Sequence, residues 1–452
     1  MTGAAERSPH AGSALSRRDA IVALLATASA LSACGRPPAV APVSSAEADV
    51  LALLDELAEN LLRLSPETAT SLGIDVGARA ALRSELGDRS AEGQQRIASQ
   101  LRADLARADG IEASGLGDAA RTSLAVVRSA YATALQGFAL PYGDVPVGGW
   151  RNTPYVVIQN VGAYLDVPKF LDTDHRIESA ADAEAYLARL ESYAKQLDGE
   201  LGRIERARAA GLVPPAFLLD KALAQIKLSI DGARDGGSLV ESIERRTRAI
   251  AGAWAERART IAANEIAPAL ERQAQELMAQ RALATDDAGM WARPSGDEYY
   301  RWALQASTTT TLSPNEVHEI GLRELGELHA RMDTLLRTIG YSAGTVGERM
   351  TALAMDPHYQ FAEGDPGRAE ILAFIAERLE WIRAQMPRAF NTVVNPNLEV
   401  KRLPPEEEPG APGAYGGPGS IDGTIPGRFW INLRTTELHS KYSLADLAFH
   451  EA

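Results

Sequence analysis

Apolar residues recurring at three- and four-residue intervals constrain this chain more than any other feature. Between Ala46 and Leu64, the residues Val50, Leu51, Leu54, Leu57, Leu61 and Leu62 form one stripe. That is the spacing of a helix that buries one face. The same periodicity predicts helices over 91–108, 117–135, 180–210, 215–233 and 239–282. Ser65-Pro66-Glu67 restarts a short helix with proline at its first position. Ser313-Pro314-Asn315-Glu316 reads as a capping box, in which serine and glutamate satisfy each other's backbone N–H groups. The helix it opens should stop at Gly340, and another should span 366–386. Aromatic residues make up only 6% of the 452 residues, which also favours helix over sheet.

Two regions break the pattern. Residues 141–170 carry Gly143, Pro146, Gly148, Gly149, Pro154 and Pro168 around a strand-like Tyr155-Val156-Val157-Ile158. Further on, 398–403 and 428–433 alternate as strands, on either side of a stretch rich in Pro, Gly and Glu. A last helix starts near Ser443, its apparent cap, with Leu444, Leu447 and Ala448 at helical spacing. The expected fold is mainly α, with a small β element at about 398–433 set before that helix.

The first residues read as an address. Arg17-Arg18 precede an apolar run from Ala20 to Ala33, too short to span a hydrocarbon core of ~30 Å. A charged start, a short apolar run and small residues at its end make a secretory signal, and the paired arginines point to the twin-arginine route. Leu31-Ser32-Ala33-Cys34 looks like a bacterial lipobox. Cys34 is the sole cysteine. It reads either as the lipidated first residue of the mature protein or as an incidental residue after a plain cleaved signal. A single cysteine at that spot favours lipidation. The expected organisation is a signal over 1–33, a flexible tether over 34–47 and a helical domain over 48–452. A lipid anchor on Cys34 would hold an exported protein at a membrane, facing the periplasm or on the outer membrane.

Composition removes several function classes. Sixty acidic residues against 46 Lys and Arg give a formal charge of −14. Nucleic-acid binders carry the opposite surplus, so no nucleic-acid partner is expected. One cysteine excludes an intramolecular disulfide framework and a zinc site built from several cysteines. No G-x-S-x-G elbow, P-loop or G-x-G-x-x-G after a strand is present. His318-Glu319 lacks a histidine four positions on. His329 lies three turns away, ~16 Å along the helix, too far to share a metal. Both histidines read as solvated or structural. His450-Glu451 differs, because it follows an apolar stretch on a helix after a short strand, although the two residues alone read as a partly buried histidine beside a glutamate. A metallopeptidase uses that layout, with the imidazole on zinc, the glutamate as general base and the strand pairing with an extended peptide.

Residues 415–452 resemble the bacterial family known as domain of unknown function 885. Its members carry a D-G-x-x-P-G-x-[FY]-x-[IVL]-N segment and then H-E-[AG]-x-P-G-H-H-L-Q. Here Asp422-Gly423-Thr424-Ile425-Pro426-Gly427-Arg428-Phe429-Trp430-Ile431-Asn432 fits the first, and His450-Glu451-Ala452 opens the second. Looser matches are Ser65 to Gly73, Pro154 to Gln159, and Tyr299-Tyr300 with Leu312 to Leu322. The family is similar to helical, clam-like zinc peptidases. The resemblance therefore implies a large helical, channel-forming fold with a small sheet beside a zinc helix. It implies zinc as cofactor, a peptide as substrate, His450 as first ligand and Glu451 as general base. It puts Tyr415, Trp430 and Asn432 near the substrate, although Tyr415 reads equally as an aromatic packed under the strand. The P-G-H-H that completes the motif does not follow Glu451-Ala452. One histidine and one carboxylate fall short of the three protein ligands of a catalytic zinc. The expectation is a fragment of a longer enzyme, inactive by itself, with apolar helix faces left uncovered. The other reading is a non-catalytic cell-envelope lipoprotein acting as a helical binding or scaffold module. Alternating βα units, as in a solute-binding protein, do not occur in the pattern.

Overall fold

A computed structural model describes residues 45–148, 152–390, 393, 398–404 and 407–451. The signal residues Arg17 and Arg18 and the lipobox Cys34 lie outside the described residues. The first helix, α1 (Ser45–Leu64), begins inside the segment read as tether. It is followed by α2 (Pro66–Ser71), α3 (Ala91–Asp109), α4 (Asp118–Phe138), α5 (Ala163–Thr173), α6 (Ala180–Ala209) and α7 (Ala216–Asp235). Next come α8 (Ser238–Arg246), α9 (Trp254–Ile261), α10 (Ala267–Arg281), α11 (Gly296–Thr308), α12 (Pro314–Thr338), α13 (Val346–Ala354) and α14 (Gly364–Gln385). Three strands, β1 (Leu398–Arg402), β2 (Ala414–Gly417) and β3 (Gly427–Ile431), precede α15 (Lys441–Glu451). The fold is mainly helical with a small sheet, as the periodicity predicts. No described helix is long and apolar enough to cross a membrane.

The helices form where the sequence supplies stripes and caps. Ser313 accepts from the Glu316 amide at 3.2 Å, while the Glu316 carboxylate accepts from the Ser313 amide at 2.8 Å. Ser179 with Asp182 and Thr345 with Glu348 make two more such boxes. Ser443 is not the cap of α15. The helix starts at Lys441, and the Ser440 hydroxyl accepts from the Ser443 amide at 3.4 Å.

Two other expectations change. The segment predicted as one helix over 239–282 is three pieces. The Ile250 amide turns back to the Thr247 carbonyl at 2.8 Å, and Gly252 sits at φ 152°, which no helix allows. A π-helical segment, Ala262–Ile266, then joins α9 to α10. Tyr155 to Ile158 is not a strand. Its side chains are buried, but among the described residues its one bridge is between Ile158 and Val161. A β-branched run can bury its side chains without a neighbouring strand to pair with.

The main core joins α5 to α10, with Leu187, Leu190, Leu197, Leu219, Ile226 and Ile266 at 0–1% exposure. A smaller core packs α14 and α15 on one face of the sheet through Ile371, Ile375, Phe429, Ile431, Leu444 and Ala448. The helix α12 differs. Leu322, Leu325, Leu328 and Leu335 are about half exposed or more, and only Leu336 of that helix is buried.

A buried polar knot fixes the N-terminal segment to α6. Arg189 is fully buried. It donates to the Glu85 carbonyl at 3.0 Å, the Leu82 carbonyl at 3.0 Å and the Thr70 hydroxyl at 2.7 Å. It also donates to His175 Nδ1 at 2.7 Å, and His175 Nε2 faces the Asp182 carbonyl at 3.0 Å. An arginine only donates and a carbonyl only accepts. The imidazole is therefore neutral, with its proton on Nε2. Burial and the adjacent Arg189 push its pKa down to about 3.

Leu190→Ala should cost about 2–5 kcal/mol of stability in urea denaturation, whereas Leu325→Ala should cost under about 1 kcal/mol. His175 makes a separate prediction. An unfolded histidine titrates near ~6.5, so between there and about 3 the unfolded chain holds a proton that the folded one refuses. The stabilisation is complete above the unfolded value and drains away as pH falls through that window. His175→Gln keeps one donor and one acceptor without titrating. Its urea midpoint should fall less than that of the wild type between neutral pH and pH ~4.5.

Candidate functional site

The site grows from the alternation of one strand. In the sheet β3 is central, with β1 parallel on one side and β2 antiparallel on the other. Phe429 and Ile431 point to α14 and α15, with Val400 and Ala414 from the flanking strands. Arg428 and Trp430 point the opposite way, with Lys401 and Tyr415 beside Trp430. A strand's period of two makes this division unavoidable.

On the α15 face, Leu444, Ala448 and Glu451 follow at i, i+4 and i+7, so the carboxylate ends the stripe that packs on the sheet. Glu451 is half-buried, and His450, one step round, is exposed. Glu451 Oε2 lies 2.7 Å from where a Cβ on Gly416 would stand. Gly416 is exposed on the edge strand β2. A Cβ there would push the carboxylate end of Glu451 aside. The motif residues thus meet a bare stretch of backbone that the sequence reading did not single out.

The other face holds a different group. Lys169 of α5 places its ammonium 4.1 Å from the centre of the Tyr415 ring and 4.9 Å from that of Trp430. It also bonds the Tyr415 hydroxyl, which donates to Glu407. Lys169 is a cation on an apolar helix, and its burial holds its pKa below the ordinary lysine value against the pull of Glu407. Trp430 is buried, its ring centre 6.4 Å from that of Tyr415. Arg428 on this face donates to Asp174 at 2.9 Å and to the Thr173 carbonyl at 2.6 Å. Tyr415 and Trp430 therefore sit together, but across the sheet from Glu451.

Asn432 is buried and fully engaged. Its amide nitrogen donates to the Glu408 carbonyl at 2.8 Å and to those of Ala411 and Pro412 at 3.3 Å. Its oxygen accepts from the Arg434 amide at 3.1 Å. This side chain shapes the loop before β2. Buried His439 shares in that work, its Nε2 2.7 Å from the Asn432 carbonyl. His318 and His329 are exposed on α12. Two distant motifs also meet. The Ile421 amide donates to the Leu72 carbonyl at 3.0 Å, and the Asp422 carboxylate lies against Gly73. Neither contact is readable from segments some hundreds of residues apart.

His450 and Glu451 offer one imidazole and one carboxylate. Among the described residues, no group of three or more His, Cys, Asp or Glu side chains could hold a metal ion. Three protein ligands are what a catalytic zinc takes, so the donors present do not fit one. Asn432→Ala should lower stability by about 1–3 kcal/mol in chemical denaturation, because the buried Glu408 carbonyl and the part-buried carbonyls of Ala411 and Pro412 lose their donor. Glu451→Ala, half-exposed and bonded to no loop, should stay within about 1 kcal/mol of the wild type.

The architecture has solved counterparts. A candidate lipoprotein from Colwellia psychrerythraea superposes with a TM-score of 0.80 at 24% identity, over 90% of this chain and 71% of that one. A candidate lipoprotein of unknown function from Shewanella oneidensis gives a TM-score of 0.52 at 14% identity, over 89% and 68%. At these identities the likeness is one of fold. No curated protein matches the chain. The family profile described as "Bacterial protein of unknown function (DUF885)" matches residues 66–452, and the chain therefore belongs to the DUF885 family.

Proposed function

We propose that this protein is an exported, lipid-anchored member of its family that captures an extended peptide along the edge strand β2, beside Gly416. The observation that carries this reading is the half-buried Glu451 carboxylate held against the exposed Gly416 of an edge strand. A strand at the edge of a sheet is where an incoming chain can add, and a glycine there lets the two backbones approach. Glu451 would meet that chain as a hydrogen-bond acceptor or base, and His450 would flank it. The resemblance to zinc peptidases supports a hydrolytic role for the same helix. The donor set does not, and no zinc-dependent step is assigned to these residues. Export and anchoring rest on Arg17, Arg18 and Cys34, and the naming of both solved neighbours as candidate lipoproteins agrees with them.

The test is fluorescence anisotropy with a labelled, unstructured apolar peptide, on the wild type and on Gly416→Val. Valine suits a strand, and its Cβ collides only with the movable end of Glu451. Wild-type binding with a loss of roughly tenfold or more in the variant is expected. No binding, or equal binding, would sink the reading and leave the scaffold role. Equilibrium dialysis against zinc should show no stoichiometric tight site. Uptake of one zinc that His450→Ala removes would instead restore the zinc-peptidase reading.

A further inference from the structure

A cleft of about 420 Å³ opens between α5, α7, α8 and the Trp430 face of the sheet. Small-molecule sites have that size. Its floor is apolar, built from the buried Ile266, Leu270 and Trp430. It lies across the sheet from Glu451, so it is independent of the peptide edge described above.

Polar groups converge on it from three sides. The first turn of α8, from Gly237 to Glu241, lines the cleft, and no side chain caps that helix. The Val240 and Glu241 amides turn back to the Gly237 carbonyl at 2.9 and 3.0 Å. The Ser238 and Leu239 amides, at the positive end of the helix dipole, have no intrahelical acceptor. Tyr193 also lines the cleft at 1% exposure, and none of the hydrogen bonds among the described residues engages its hydroxyl. Lys169 completes the set. Its counter-ion Glu407 stands 3.7 Å away and also accepts from Tyr415, so the ammonium is only partly neutralised.

The acidic residues of the lining are engaged or exposed. Asp172 accepts from Ser242 at 2.7 Å and from Arg245 at 2.8 Å, and Lys401 stands 3.4 Å from it. These contacts also pin α5 beside α8. Glu241 is exposed. The balance left over favours one negative charge on an otherwise apolar guest.

We propose that this cleft binds a small carboxylate carried on an apolar body. Lys169, the Tyr193 hydroxyl and the free amides of α8 take the carboxylate, and Ile266, Leu270 and Trp430 take the body. The C-terminal residue of a hydrophobic peptide and a short fatty acid share this chemistry.

Isothermal titration calorimetry separates them. The probes are N-acetyl-phenylalanine, its uncharged amide and octanoate, each titrated into the full chain. At least one acid should bind, and the amide should bind at least roughly tenfold more weakly than its acid. Tighter binding of N-acetyl-phenylalanine identifies a peptide end, and tighter binding of octanoate a fatty acid. Tyr193→Phe and Lys169→Met should each weaken the better acid by roughly fivefold or more. A variant that blocks the space provides the control for folding. Gly232 lines the cleft, and a Cβ there would approach only Gly237 Cα, at 4.0 Å. Gly232→Leu should therefore keep the thermal unfolding midpoint and abolish binding. No binding of either acid, an amide that binds as well as its acid, or undiminished binding by folded Gly232→Leu would each overturn the proposal.

Discussion

Strand β3 is the constraint on which the rest of the structure depends. It is central in the sheet, and Arg428, Phe429, Trp430 and Ile431 are all buried. Its two faces do different work. Phe429 and Ile431 hold α14 and α15, while Arg428 and Trp430 hold α5 through Asp174, the Thr173 carbonyl and Lys169. Arg428 and Asp174 are 9% and 20% exposed. A charge pair this dry is costly to break, because the surviving partner is left buried and unpaired. Five residues thus join the helical body to the helix that carries His450 and Glu451.

The same alternation separates two chemistries that lie within a few residues of each other in sequence. Glu451 reaches the exposed edge at Gly416. Tyr415, the next residue along the strand, faces Lys169 on the other side. The motif therefore lies against two neighbouring features: an edge strand on one face and a cleft with an apolar floor on the other. Their independence follows from the pleat, which sends adjacent side chains to opposite faces.

Family membership and the solved relatives bear on these sites unequally. The DUF885 match spans the sheet and α15, and the Colwellia psychrerythraea structure shares the architecture at a TM-score of 0.80. Shared architecture says where helices and strands run, whereas chemistry depends on which donors a site assembles. Among the described residues, the donors that α15 brings beside β2 are the His450 imidazole and the Glu451 carboxylate. The groups around the cleft, by contrast, are a buried hydroxyl, a partly neutralised ammonium and an uncapped helix turn.

The sequence by itself determined most of the helices, because each stripe and cap is a local matter of spacing and of groups three or four residues apart; it did not give α11, α13 or α5, the last lying largely in the Gly- and Pro-bearing stretch read as a break. It also determined β1 and β3, whose alternation is local, and the His450-Glu451 pair on an apolar helix. It could not reveal β2. Ala414 to Gly417 carries two glycines and no β-branched residue, and the segment is a strand only because β3 lies beside it. Nor could it show that Tyr155 to Ile158 would be buried without becoming a strand, or that the helix predicted over 239–282 would break. Only the tertiary structure decided that Asn432 would spend its amide on a loop, that Leu72 would meet Ile421, and that Lys169, Tyr193 and the first turn of α8 would surround one cleft. Those are long-range packing choices. Their stabilisation comes from burial and from hydrogen bonds between segments far apart in the chain, which no local period can encode.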